Sequence, residues 1–163
     1  MTATLTNLQT GISDMTPLLL ALAGLFAAAF LAATVIPFQS EAVFIAMQAA
    51  NVATVATLVA VASLGNTLGA FVNYAIGARV EQYRDRRWFP ARPAQLERAQ
   101  RWFARYGVWS LLLSWAPLLG WFTLVAGIMR TPLWQFTILV AIAKTVRYTL
   151  LAWLTLRAVE LVA

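Results

Sequence analysis

The chain is 163 residues long, 61% hydrophobic and only 11% charged, with no His and no Cys, and its mean hydropathy is +0.74. Soluble domains usually carry about a quarter charged residues, so lipid is the expected main solvent and the composition argues against a soluble enzyme. Without imidazole or thiolate there are no His-based acid–base pairs, thiol nucleophiles, disulfides or usual zinc and haem ligands, so no metal or cofactor is expected.

Residues 1–16 are Thr-rich with Asp14 as their one charge, and no Lys or Arg precedes Arg79. A secretory signal would need a basic n-region, so this stretch reads as an uncleaved extramembrane lead-in.

Residues 17–78 are a nearly continuous apolar block interrupted by one charge, Glu41. A membrane span needs about 20 residues, so the block is too long for one crossing. The run Pro37-Phe38-Gln39-Ser40-Glu41 breaks it after Ile36, and Asn51 separates a short piece, 42–50, from a long one. The expectation is a helical hairpin over 17–50 followed by a span over 52–78.

Residues 79–105 are the long polar interval, with eight arginines against three acids, a net +5. Short loops rich in Arg stay in the cytoplasm, and the flanking apolar blocks tether this one to a bilayer, so nucleic acid is not an expected partner. From Gln95 the segment turns periodic: Leu96, Ala99, Phe103 and Tyr106 share one arc and Arg98, Arg101 and Arg105 the opposite one. That is the pattern of a helix lying on a membrane surface.

Residues 106–160 repeat the layout of the first block. Pro117-Leu118-Leu119-Gly120 lies between short pieces, giving a hairpin over 107–130, and Thr131-Pro132 opens a span over 132–159. Offset by 78, Gly65-Asn66-Thr67-Leu68 lies over Ala143-Lys144-Thr145-Val146; offset by 80, Ile36-Pro37-Phe38 lies over Ala116-Pro117-Leu118. An internal duplication follows, with Pro37, Pro117 and Gly120 as helix-breaking turns. If both hairpins dip into the membrane and return, the halves are inverted about the cytoplasmic loop and the turns meet near the midplane. Non-helical backbone is tolerated there only inside protein or beside a wet cavity, and this layout is that of secondary transporters. The competing layout has four plain spans with both termini cytoplasmic.

Glu41 sits in the first turn region with Gln39, as a proton carrier, a ligand for a cation or headgroup, a salt-bridge partner, or a cap on the next helix piece. Lys144 and Arg147 lie too deep in the last span to snorkel easily, so one of them is expected to meet Glu41 and the other to leave positive charge for an anionic group. Gly65, Gly69, Asn73 and Gly77 recur every four residues, a stripe suited to close helix packing, with Asn66 and Asn73 as candidate path residues. A Ser–Lys dyad such as Ser114 with Lys144 is chemically conceivable, but no nucleophile motif surrounds Ser114.

Several of these residues carry a resemblance. Gly65-Asn66-Thr67-Leu68-Gly69 through Gly77-Ala78-Arg79, and Leu112-Leu113-Ser114-Trp115-Ala116-Pro117 through Arg130-Thr131-Pro132, resemble the signatures of the DedA family, also called VTT-domain or SNARE-associated-Golgi-protein-like. Ser40-Glu41 and Lys144-Thr145-Val146-Arg147-Tyr148 look most like its small YqaA-type branch. The resemblance implies a multi-pass bacterial inner-membrane protein with two facing re-entrant hairpins, associated with moving lipids between leaflets, polyprenyl-phosphate carriers among them. The family's hairpin glutamate falls on Glu41. Its acidic residue in the glycine signature falls on Asn66, and its two arginines flanking the second hairpin's Pro fall on Ser114 and Gly120.

The expected fold is therefore all-α and membrane-integral, built of two inverted repeats joined by a basic amphipathic segment. The expected function is non-enzymatic lipid transport, a flippase or scramblase with membrane lipids as partners. Two other readings stay open: a proton- or cation-coupled transporter of a small solute, and a membrane-organising protein without transport. A homo-oligomer is compatible with all three.

Overall fold

The computed structural model describes residues 2–34, 39–79, 93–116 and 121–162. The turns that hold Pro37, Pro117 and Gly120, and residues 80–92 of the basic segment, lie outside the described residues. The described elements are helical: α1 (Thr2–Ala33), α2 (Ser40–Ala49), α3 (Val55–Ala78), α4 (Pro93–Tyr106), a 3-10 helix (Gly107–Trp115), α5 (Trp121–Ile128) and α6 (Leu133–Val162). The stretches Met15–Ala33, Val55–Ala78 and Leu133–Leu161 are long and apolar enough to cross a membrane. Between them, α2, the 3-10 helix and α5 have 10, 9 and 8 residues, about half a span or less.

Two local features of the helices go beyond the sequence reading. Pro17 is inside α1, so the Thr-rich stretch continues the first helix. The piece after Tyr106 is wound as a 3-10 helix, which stretches nine residues over roughly 18 Å where an α-helix would cover about 13.5 Å.

Close contacts set the helix directions. A methyl on Gly65 or Gly69 would overlap the carbonyl oxygens of Phe26 and Phe30 respectively, and Asn73 reaches Ala33, so α1 and α3 run parallel with their backbones touching. Asn73 reaches Thr123 near the start of α5, while a methyl on Gly77 would meet Ile128 and one on Gly127 would meet Ala78 near its end; α5 thus also runs parallel to α3. Ser40 shares the level of Asn66, both bonding Tyr148, while Met47 clusters with Leu58, so α2 runs back against α3. Asn66 with Tyr148 and Phe71 with Phe136 make α6 antiparallel to α3.

Between helices in lipid there is little hydrophobic drive, so small residues and close packing take its place. The result is two apolar cores stacked end to end. One gathers Leu25, Phe44, Met47, Leu58, Tyr148 and Ala152; the other gathers Ala70, Phe103, Leu111, Phe122, Val125 and Phe136. Both α3 and α6 thread through the two. On the outside, Trp134, Ile138, Ile142, Val146, Leu150 and Leu154 recur every four residues along α6 and are all exposed, a lipid-facing stripe of the kind soluble monomers avoid.

The two short arms end alike. After α2, Ala50, Asn51 and Val52 donate to Ala46, Gln48 and Met47; after α5, Met129, Arg130 and Thr131 donate to Val125, Gly127 and Ala126. In each case the middle residue has a positive φ, 51° for Asn51 and 49° for Arg130. This is one Schellman cap built twice, at positions 79 apart.

Candidate functional site

Polar side chains collect between the two cores. Asn66 is eleven residues after the start of α3 and twelve before its end, so this layer is at the helix midpoint. Glu41, in the first turn of α2, forms a salt bridge with Arg147 of α6; their side chains are 30% and 20% exposed. The carboxylate thus has two sources of stabilisation, the guanidinium and the N-terminal end of its own helix.

Beside this pair, Tyr148 is the hub of the layer. Its hydroxyl lies 2.8 Å from Ser40 Oγ and accepts from Asn66 Nδ2 at 3.2 Å, and its fully buried ring packs on Phe44 at 5.4 Å. One turn further, Gln48 Nε2 donates to the carbonyl of Ala152 at 3.0 Å. Three elements from opposite ends of the chain are locked together by these bonds.

Lys144 points the other way. Its side chain is buried, and Nζ donates to the backbone carbonyl of Ser114 at 2.9 Å. The Ser114 hydroxyl is buried with no partner among the described residues, so the bond that joins this pair uses the serine's main chain and not its Oγ. Glu41 therefore takes Arg147 and leaves Lys144 to the 3-10 helix.

Asn73 Nδ2 donates to the carbonyl of Ala33 at 2.9 Å and to Thr123 Oγ1 at 3.3 Å, tying the end of α1 to the start of α5 through α3. Nearby, Tyr74 donates to the carbonyl of Thr131 at 2.7 Å. Gln39 is exposed and its side chain makes no capping bond to α2. Gly65, Gly69 and Gly77 are buried where α3 meets its neighbours. Arg98, Arg101 and Arg105 are exposed on α4, while Phe103 on its other side is buried. Tyr106 departs from the arc assigned to it: it is exposed beside Trp102, whose ring it meets at 5.0 Å.

Tyr148 and Gln48 belong to the layer without standing out in the sequence. Tyr148 appears there only within the Lys144-to-Tyr148 run and in a one-turn series with Lys144 and Ala152, all three buried, and Gln48 has no such signal. Among the described residues no group of three or more His, Cys, Asp or Glu is placed to hold a metal.

An all-helical bundle with three helices long and apolar enough to cross a membrane has the build of an all-α integral membrane protein. The chain belongs to the VTT-domain (DedA) family, whose profile matches residues 36–156. It is 36% identical over 141 residues to inner membrane protein YqaA of Escherichia coli K12, covering 85% of this chain and 93% of that one, and equally to the YqaA of Shigella flexneri. A protein of Haemophilus influenzae is 32% identical over 142 residues, 80% of this chain and 85% of its own. No solved structure matches the chain.

Proposed function

We propose that this protein moves lipid headgroups between the leaflets of a bacterial inner membrane, along a polar path between two re-entrant hairpins. The observation that carries the reading is the Glu41–Arg147 pair at the level of the α3 midpoint, with buried Lys144 three residues away on α6. Ionisable groups at membrane depth cost several kcal/mol or more and mark pathways for ions and substrates. The helix directions support the hairpins. The α1–α2 arm returns to the end where α3 begins, and the arm of the 3-10 helix and α5 returns to the end where α3 finishes. The twice-built cap at Asn51 and Arg130 supports the duplication.

Orientation follows from the basic segment, placed in the cytoplasm by the positive-inside rule. The names of the Escherichia coli and Shigella relatives support the inner membrane. In this arrangement Glu41 gates the path, Arg147 holds it closed, and Lys144 attracts the anionic headgroup.

The test is reconstitution of the purified chain into vesicles containing a fluorescent phospholipid that a membrane-impermeant reductant quenches in the outer leaflet. Quenching beyond the outer-leaflet share is expected with the wild type and is lost in Glu41→Gln. Translocation no faster than in protein-free vesicles overturns the proposal, and collapse of a proton gradient dependent on Glu41 would replace it with ion-coupled solute transport.

A further inference from the structure

Cationic groups also gather on α4, away from the bundle centre. Arg98, Arg101 and Arg105 stand on one side of α4, and with Trp102 and Tyr106 they line an open cavity of about 470 Å³. The Trp102 and Tyr106 rings lie 5.0 Å apart, and the Arg105 guanidinium is 5.6 Å from the Tyr106 ring centre. The facing acid is Glu97, at 3.8 Å from Arg101 with both side chains about two-thirds exposed. Among the described residues, three cations against one acid leave a net charge of +2 around the cavity.

We infer that this cavity is a binding site for the phosphate of an anionic phospholipid headgroup. Guanidinium forks match phosphate oxygens, and the aromatic rings supply a surface for the glycerol end of the lipid. Membrane lipid is the favoured occupant over a soluble anion because exposed Trp102, Tyr106 and Trp109 accompany the arginines, and Trp and Tyr concentrate at the headgroup level. The opposite side of α4 fixes the site to the bundle: Phe103 is buried with Leu111, Phe122, Val125 and Phe136. A lipid held here thus bears on the second hairpin, apart from the Glu41–Arg147 pair.

The site is tested on the full chain in nanodiscs of equimolar phosphatidylglycerol and phosphatidylcholine, by counting the lipids that remain bound in native mass spectrometry. The wild type is expected to retain phosphatidylglycerol preferentially. Each of Arg98→Gln, Arg101→Gln and Arg105→Gln should weaken that retention about fivefold, and raised salt should weaken it further. Glu97→Gln should strengthen it, a change that misfolding does not mimic. Equal retention of the two lipids by the wild type, or an unchanged preference in the triple arginine variant, overturns the inference. Inorganic phosphate binding without any lipid preference does so too, by assigning the arginines to a soluble anion. The readout needs no translocation, so failure of the transport reading leaves this site standing and the reverse also holds.

Discussion

Ser40 Oγ and the Tyr148 hydroxyl are 2.8 Å apart in the buried centre of the bundle although 108 positions separate them in the chain. Asn66 donates to the same hydroxyl, so one phenol joins α2, α3 and α6. Tyr148→Phe keeps the ring contact with Phe44 and removes the oxygen. It leaves two buried polar groups without their partner, at an expected cost of about 1 kcal/mol. Thermal unfolding in detergent checks this, and an unchanged midpoint would show that the hydroxyl holds nothing together.

The Glu41–Arg147 pair is partly solvated, so its worth lies between that of an exposed and a buried bridge. Glu41→Gln and Arg147→Gln should each destabilise the fold, and the double variant should lose less than the two losses added. A coupling of about 1–3 kcal/mol is expected from the double-mutant cycle. Strict additivity would mean that the two charges do not feel each other.

Much of this arrangement is legible in the amino-acid sequence. Glu41 stands out because it is a lone carboxylate in a 62-residue apolar block, and such a group needs a cation or a path. The limits of α2 follow from the break around Pro37 and from Asn51, and the packing stripe of α3 from its four-residue spacing. What stays hidden depends on three-dimensional register. The preference of Glu41 for Arg147 over Lys144 is set by how α2 crosses α6, which spacing does not encode. Nine apolar residues do not distinguish a 3-10 from an α-helix, because periods of 3.0 and 3.6 diverge by less than two residues over that length. A single Tyr in an apolar span reads as packing until its partners, 82 and 108 positions away, are known.

The glycines offer a sharper contrast. Gly69→Ala and Gly127→Ala each drive a methyl into the backbone carbonyl of a neighbouring helix, and overpacking of this kind costs about 1–3 kcal/mol. Gly24 has nothing within 4 Å of where its Cβ would be, so Gly24→Ala should be neutral or stabilise α1 by up to about 1 kcal/mol. Comparing the unfolding midpoints of the three variants tests the helix contacts directly. Equal effects would mean that α3 does not touch α1 and α5 as described.

Asn51 and Arg130 hold left-handed backbone at the ends of α2 and α5. Asn adopts that conformation readily, whereas other side chains cost about 1–2 kcal/mol there. Arg130→Gly should therefore be neutral or stabilising, and Arg130→Val should destabilise. A more stable valine than glycine variant, measured by thermal unfolding, would sink the cap assignment.

Lys144 separates stability from function. Its ammonium has three protons to donate, and among the described residues it makes one hydrogen bond, to the carbonyl of Ser114. Burying an unpaired ammonium costs several kcal/mol, more than one hydrogen bond to a carbonyl returns, so Lys144→Met should unfold at the same or a higher temperature. If the charge is kept to draw an anionic headgroup to mid-depth, the same variant should translocate fluorescent lipid at least about tenfold more slowly, a barrier change of about 1.4 kcal/mol. A sharp fall in stability would make Lys144 a structural tie between α6 and the 3-10 helix. A stable variant with undiminished translocation would remove Lys144 from the path and leave the Glu41–Arg147 pair to carry the headgroup.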